Sequence, residues 1–317
     1  MLLRRGWWRW RGRASARGTE WEPHGAPSIV LFGGKGGVGK TTLAAAHALN
    51  CADAGMRTLL MSTDPAHSLG DALGVRLGDR PVRVAPDLWV CEPDGPTAVR
   101  RRIRRIVDDA YAALPREIMP AVERHLKHAE AAPGMAESAL TDLLVSAMED
   151  VPDRWDRLVV DSAPTGHLLR MIELPTLMAP WVHGLTEQRE RALATQTSDP
   201  GDTEGATSDH GDDPLLDRLR ARRDRMERAA RRLRSDAAVR LVLLPRRVVL
   251  AETVRAADHL RESGFPLAGL VLNQVPPDAD PAVLAAVRAA FPDLPMTEVA
   301  LRHPEPTGVD ALRGLLS

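Results

Sequence analysis

Leu31-Phe32-Gly33-Gly34-Lys35-Gly36-Gly37-Val38-Gly39-Lys40-Thr41-Thr42 is the stretch that decides the fold. The apolar residues Ile29 to Phe32 read as a short buried strand, and Thr41 to Leu49 as a run of good helix formers. Gly34 to Thr41 satisfies G-x-x-x-x-G-K-[ST] in the strand–loop–helix setting that gives the pattern its meaning. The residue types follow from the task. Glycines let successive backbone N–H groups converge on phosphate oxygens with no Cβ in the way, and the new helix adds its positive end. Lys40 can then bridge β- and γ-phosphates, and the Thr41 hydroxyl can ligate Mg2+. Gly34, Lys35, Gly36, Gly37, Val38, Gly39, Lys40, Thr41 and Thr42 are therefore the candidate nucleotide-binding residues.

Lysine usage points the same way. The chain holds three lysines, Lys35, Lys40 and Lys127, against a large excess of arginine, and two of them lie in this loop. A compact ammonium on a flexible stem suits a phosphate cradle. The bland alternatives are a plain glycine-rich turn and, for Lys35, a solvated surface lysine.

The 317 residues suit one large α/β domain carrying an insertion, and an apolar fraction of 44% permits a sizeable core. A net charge of −1 gives no overall pull toward nucleic acid or membrane. Cys51 and Cys91 suggest a reducing compartment rather than a disulfide scaffold, and both fall at expected core positions. No apolar run approaches the ~18 residues of a membrane span, so a cytoplasmic protein is expected. Residues 1–27 differ in kind, with six arginines and no acid before Glu20 and four of the seven tryptophans. They read as a disordered extension, although arginine interleaved with tryptophan could also touch a membrane surface or nucleic acid.

Beyond the glycine loop, strands are expected at 57–62, 88–92, 158–160, 239–244, 267–272 and near Met296. Helical periodicity occupies 97–150, 171–193, 215–235, 251–262 and 281–291, with an acidic, apolar-poor loop at 197–214 that reads as disordered. The arginine-dense helix 215–235 reads as a solvated face with interspersed acids rather than a nucleic-acid stripe. Strand–helix alternation predicts a doubly wound, mostly parallel α/β sheet with an inserted helical subdomain, its segments about 97–150 and 177–235. The domain proper is expected over 28–317.

Two strings follow strands in the same order as the phosphate loop. They are Thr63-Asp64-Pro65-Ala66-His67-Ser68 and Asp161-Ser162-Ala163-Pro164-Thr165-Gly166-His167-Leu168-Leu169-Arg170. An apolar strand ending in Asp161 is the arrangement that holds a water on Mg2+. With Lys35 in the loop and Leu272-Asn273-Gln274 later, the chain resembles the ArsA family of the SIMIBI class. That family comprises arsenite-pump ATPases and guided-entry targeting ATPases for tail-anchored proteins.

The resemblance implies an Mg2+-dependent ATPase working as a homodimer with a client or membrane partner. Asp64 would orient or deprotonate the attacking water, Lys35 would reach the partner's nucleotide, and Thr41, Asp161 and Asp64 would serve the metal. Asn273 would contact the adenine edge, with Glu298 and Val299 lining the base. Pro65, His67, Pro164, Thr165, Gly166 and His167 would belong to the two switches. A simpler reading of Asp64 is a helix N-cap, and of the two histidines, satisfied loop residues.

The departures are equally specific. There is no C-x-x-C pair, so no zinc is expected, and the place of a long helical insert holds the methionine-free loop 197–214. Two cysteines do not make an arsenite or antimonite thiolate site. The competing readings are a positioning ATPase of the MinD/ParA sort and a nucleotide-gated binding module with negligible turnover.

Overall fold

The computed structural model describes residues 27–113, 116–130, 132, 134–196 and 214–316. The expected disordered stretches at 1–27 and 197–214 therefore lie outside the described residues, but for Pro27 and Pro214.

The apolar run before the glycines becomes β1, Ile29–Gly34, with all six residues buried. Strands covered on both faces read as continuous apolar runs, and β5 (Arg157–Asp161) and β6 (Ala237–Leu243), which flank β1, are buried throughout as well. With β2 (Thr58–Ser62), β3 (Val82–Ala85), β4 (Leu88–Cys91), β7 (Leu267–Val275) and β8 (Met296–Ala300) they form one sheet of order β3-β4-β2-β5-β1-β6-β7-β8. Every pair is parallel except β3 with β4. The sheet is thus α/β and mostly parallel. Its first strand lies inside, and the chain winds outward on either side of it.

That winding brings the carboxyl ends of β1, β2 and β5 side by side. Phe32 and Ser62 both pair in register with Asp161. The loops leaving these three strands carry the glycine run and the two switch strings, at the edge where such sheets present ligand groups.

Helix α1 (Lys40–Asp53) follows β1, and its Leu43, Ala44, Ala45, Ala48 and Leu49 join the main core. A short α2 (Leu69–Leu73) follows β2. Helix α3 (Gly95–Ala113), a 3-10 turn at Arg116–Ile118, α4 (Met119–Ala129) and α5 (Met135–Glu149) lie between β4 and β5. Between β5 and β6 run α6 (Thr165–Gln196) and α7 (Pro214–Ser235). Helix α6 packs along α7, and α3 packs on α5 through a small core of Ala98, Val99, Ala139 and Leu140. Several arginines of α7 meet acids, among them Arg218 with Asp109, Arg220 with Glu190 and Arg225 with Glu149. Helices α8 (Arg247–Glu262), α9 (Pro281–Ala290) and α10 (Val309–Arg313) complete the order.

Three elements depart from the reading of the sequence. Strand β3 was not foreseen, because an exposed antiparallel edge strand lacks the apolar run of its buried neighbours. Helix α6 begins at Thr165, not Met171, so it grows directly out of the second switch. It also contains Pro175 and Pro180. Helix α8 begins at Arg247, a turn before the expected 251. Among the described residues no helix is long and apolar enough to cross a membrane.

Candidate functional site

The glycine loop is held open from below. Gly39 lies in the left-handed region at φ 89°, and a Cβ there would stand 2.3 Å from Asn273 Nδ2. Gly34 is equally constrained, since a Cβ would meet the Val242 carbonyl at 2.5 Å. Around Gly36 and Gly37 the space is empty, with nothing within 4 Å of either Cβ position. Packing thus demands glycine at the ends of the loop, while its middle stays clear.

Gly39 is the cap residue of α1 and has no side chain with which to bond the first turn. That turn contains no acid either. Its N–H donors and positive dipole end are left for an anion.

Lys40 is only 5% exposed, and its Nζ donates to the Lys35 carbonyl at 3.2 Å. Burial lowers its pKa, opposed by the charges of Asp161 and Asp64. Thr41 Oγ1 donates to Asp161 Oδ2 at 2.9 Å and lies 3.1 Å from Ser68 Oγ.

Asp161 is fully buried at the end of β5. Its Oδ2 also accepts from Ser62 Oγ at 3.1 Å, while Oδ1 has no hydrogen-bond partner. Burial pushes this carboxyl up to about 7, against the bonds from Thr41 and Ser62 and the Lys40 charge. A buried carboxylate with an unmatched oxygen beside a threonine hydroxyl is a hard-oxygen donor set that fits Mg2+ and its waters.

The first switch leaves β2 through Thr63 and Asp64. The Asp64 N–H donates to Ser62 Oγ at 3.2 Å, and its Oδ1 accepts the Ala66 N–H at 3.0 Å. Asp64 therefore caps a turn and not α2, whose cap position is held by Ser68. His67 follows at φ 51° and sits close enough to Asp94 to help lower its pKa, behind the larger effects of Thr97 and Arg100. In the second switch Ser162 Oγ donates to the Phe32 carbonyl, and His167 Nδ1 lies 3.9 Å from Glu137 Oε1 on α5. Pro164 supplies the carbonyl for the His167 and Leu168 N–H groups, with Thr165 and Gly166 opening α6.

Of the expected base contacts, Asn273 reaches the loop itself. Its Nδ2 donates to the Val38 carbonyl at 2.8 Å. Glu298 lies on β8 opposite Leu272 and bonds Arg288 at 2.5 Å, and the Val299 side chain is in the core. Lys35 Nζ lies 3.1 Å from Glu252 Oε1 on α8, both side chains partly exposed. Residues of the loop, second switch and α8 line a cavity of about 370 Å3, among them Lys35, Pro164, Gly166 and Glu252. Ser62, Ser68 and Glu252 stand beside these groups without being singled out by the motifs. Only Ser68 lay inside a quoted string.

Both thiols are buried, and burial raises Cys51 to about 11 and Cys91 to about 12.

Residues 27–316 match the family model described as anion-transporting ATPase. The chain is 31% identical over 309 residues to an arsenical pump-driving ATPase of Acidiphilium multivorum, covering 92% of this chain and 49% of that one. It is 28% identical to a putative arsenical pump-driving ATPase 2 of Aquifex aeolicus, over 79% of this chain and 81% of the relative. With Protein Rv2184c of Mycobacterium tuberculosis it shares 36% identity over 78% of its length and 59% of the relative's. It spans about half the length of the Acidiphilium relative. From the loop, the two switches and this match over nearly its whole length, the chain belongs to the anion-transporting ATPase family, the ArsA ATPases.

Proposed function

We propose that the protein hydrolyses ATP to ADP and phosphate with Mg2+, in a homodimer whose two copies open and close on a client or membrane partner. The observation that carries this reading is the pairing of an uncapped α1 with the Thr41–Asp161 contact and its unmatched Oδ1. The triphosphate would lie along the loop's N–H groups with Lys40 turned from the Lys35 carbonyl onto its oxygens. Thr41 and Asp161 would hold Mg2+, which when bound neutralises phosphate charge. Asp64, tethered by its turn near Lys40, would hold the attacking water and take its proton. Catalysis would be positioning plus charge neutralisation, with little covalent chemistry to supply.

Lys35 would serve the partner's nucleotide after leaving Glu252, an exposed pair that costs little to break. Because α6 starts inside the second switch, any shift of Thr165 and Gly166 on hydrolysis would pass straight into the helices packed on it. Asn273, Glu298 and Val299 remain the proposed adenine rim.

The relatives' printed names concern arsenical pumps. Both cysteines of this chain are buried and burial raises their pKa, which supports a partner other than arsenite or antimonite. Free thiols fit a cytoplasmic setting.

Steady-state phosphate release from ATP tests the proposal. Turnover that requires Mg2+ and disappears in Lys40→Ala supports it. No release above the rate of ATP alone sinks it.

A further inference from the structure

Glu92 stands just past the end of β4, outside every motif, and only 8% of it is exposed. Its Oε1 accepts the Leu69 N–H at 2.8 Å and its Oε2 the Gly70 N–H at 3.2 Å. These are the first two N–H groups of α2, the helix in which the first switch ends. Glycine at 70 permits the approach, for a Cβ there would stand 3.3 Å from Glu92 Oε2 and 2.9 Å from the Val75 carbonyl.

Capping a helix start is ordinarily the work of a serine at the cap position. Ser68 occupies that position in α2 and makes no side-chain cap bond. Its hydroxyl lies instead 3.1 Å from Thr41 Oγ1. The direction of that bond follows from proton counting. A hydroxyl has one proton to give, and Thr41 gives its own to Asp161 Oδ2, so Ser68 is the donor and Thr41 the acceptor. Thr41 then keeps a second lone pair.

We propose that Glu92 is a positioning residue for the phosphate-loop threonine: by taking over the capping of α2 it frees the Ser68 hydroxyl and seats it on Thr41. The first switch is thereby anchored at both ends, through Asp64 and Ser62 near β2 and through Glu92 just after β4. Glu92 bonds the α2 backbone and acts through Ser68. The consequence for turnover rests on the ATPase reading. The anchoring of the switch does not.

The test therefore pairs amide hydrogen exchange of the nucleotide-free protein with phosphate release. In Glu92→Ala the Leu69 and Gly70 amides should lose protection, and turnover should fall by between about tenfold and about a hundredfold. Ser68→Ala should lose a similar factor in turnover with Leu69 and Gly70 still protected, and Ser68→Thr should restore most of it. The double variant Glu92→Ala/Ser68→Ala should be no slower than Glu92→Ala, since both changes remove one relay. Should Glu92→Ala fail to fold, Glu92→Gln carries the same comparison with one acceptor oxygen kept. Unchanged exchange at Leu69 and Gly70 in either Glu92 variant overturns the proposal, as does a double variant whose losses multiply. A wild-type protein that releases no phosphate would defeat the ATPase reading, while the exchange contrast would still decide the role of Glu92.

Discussion

The Thr41 hydroxyl and the Asp161 carboxylate, 120 residues apart in the chain, meet at 2.9 Å where β1 and β5 end side by side. The contact leaves one oxygen of a fully buried carboxylate unmatched. Around this pair lie a buried ammonium, an uncapped helix and two switch loops, and their behaviour under substitution is accessible to measurement.

Lys40 is buried beside Asp161 and Asp64, and burial lowers its pKa. Lys40→Met should leave the nucleotide-free protein within about 1 kcal/mol of wild type, because the cost of burying the ammonium offsets its attraction to Asp161 and Asp64. Added ATP should raise the melting temperature of wild type, by the equivalent of about 2.7 kcal/mol at a hundred times Kd, and leave Lys40→Met unmoved. Thermal melts with and without nucleotide read both effects.

Gly39 and Asn273 are a matched pair. Gly39→Ala places a Cβ on the Asn273 amide in a left-handed backbone, and should destabilise the protein by about 1–2 kcal/mol and weaken ATP binding. Asn273→Ala alone should cost about 1–3 kcal/mol by leaving the Val38 carbonyl without its donor. In the double variant the clash is gone, so its denaturant midpoint should lie above the value expected from adding the two losses.

His47 sits fully buried in α1, beside Cys51 Sγ and the Phe32 ring. Burial first, then the Arg240 and Arg157 charges, hold it well below its ordinary value of 6.5. Below pH 6.5 the unfolded chain therefore binds a proton that the folded chain refuses. Stability from this group is complete above 6.5 and falls by up to about 1.4 kcal/mol per pH unit as the pH drops toward the depressed folded value. Relative to His47→Gln, wild type should lose about 1 kcal/mol between pH 7.5 and 5.5 in denaturant titrations.

Action of Lys35 across a dimer can be separated from action at home. Lys35→Ala and Asp64→Asn should each be inactive alone. In a mixture, the mixed dimers would hold one complete site. With random pairing an equal mixture should recover about a quarter of the wild-type rate. No recovery would place Lys35 at its own nucleotide.

The sheet and the loop were legible in the sequence because both are local. Buried parallel strands such as Ile29–Gly34 read as apolar runs, and the glycines of 34–39 answer to backbone geometry within a few residues. Strand β3 was not, since Val82-Arg83-Val84-Ala85 is a partly exposed edge. The start of α6 was missed because Ala163-Pro164-Thr165-Gly166 looks like a loop by composition, while the Pro164 carbonyl already serves the first helical turn. Asp64, Lys40 and Asp161 stood out as motif positions. Ser62, Glu92 and Glu252 did not, because their roles arise only when strand ends and α8 are brought together in space.

The central claim is that this loop and its switches cleave the terminal phosphate of ATP with Asp64 at the water. Phosphate release by wild type and by Asp64→Asn, each shown to bind ATP equally, tests it most directly. The account predicts release at least about a hundredfold slower in Asp64→Asn, as for loss of a positioned general base. Equal rates in the two proteins would contradict it.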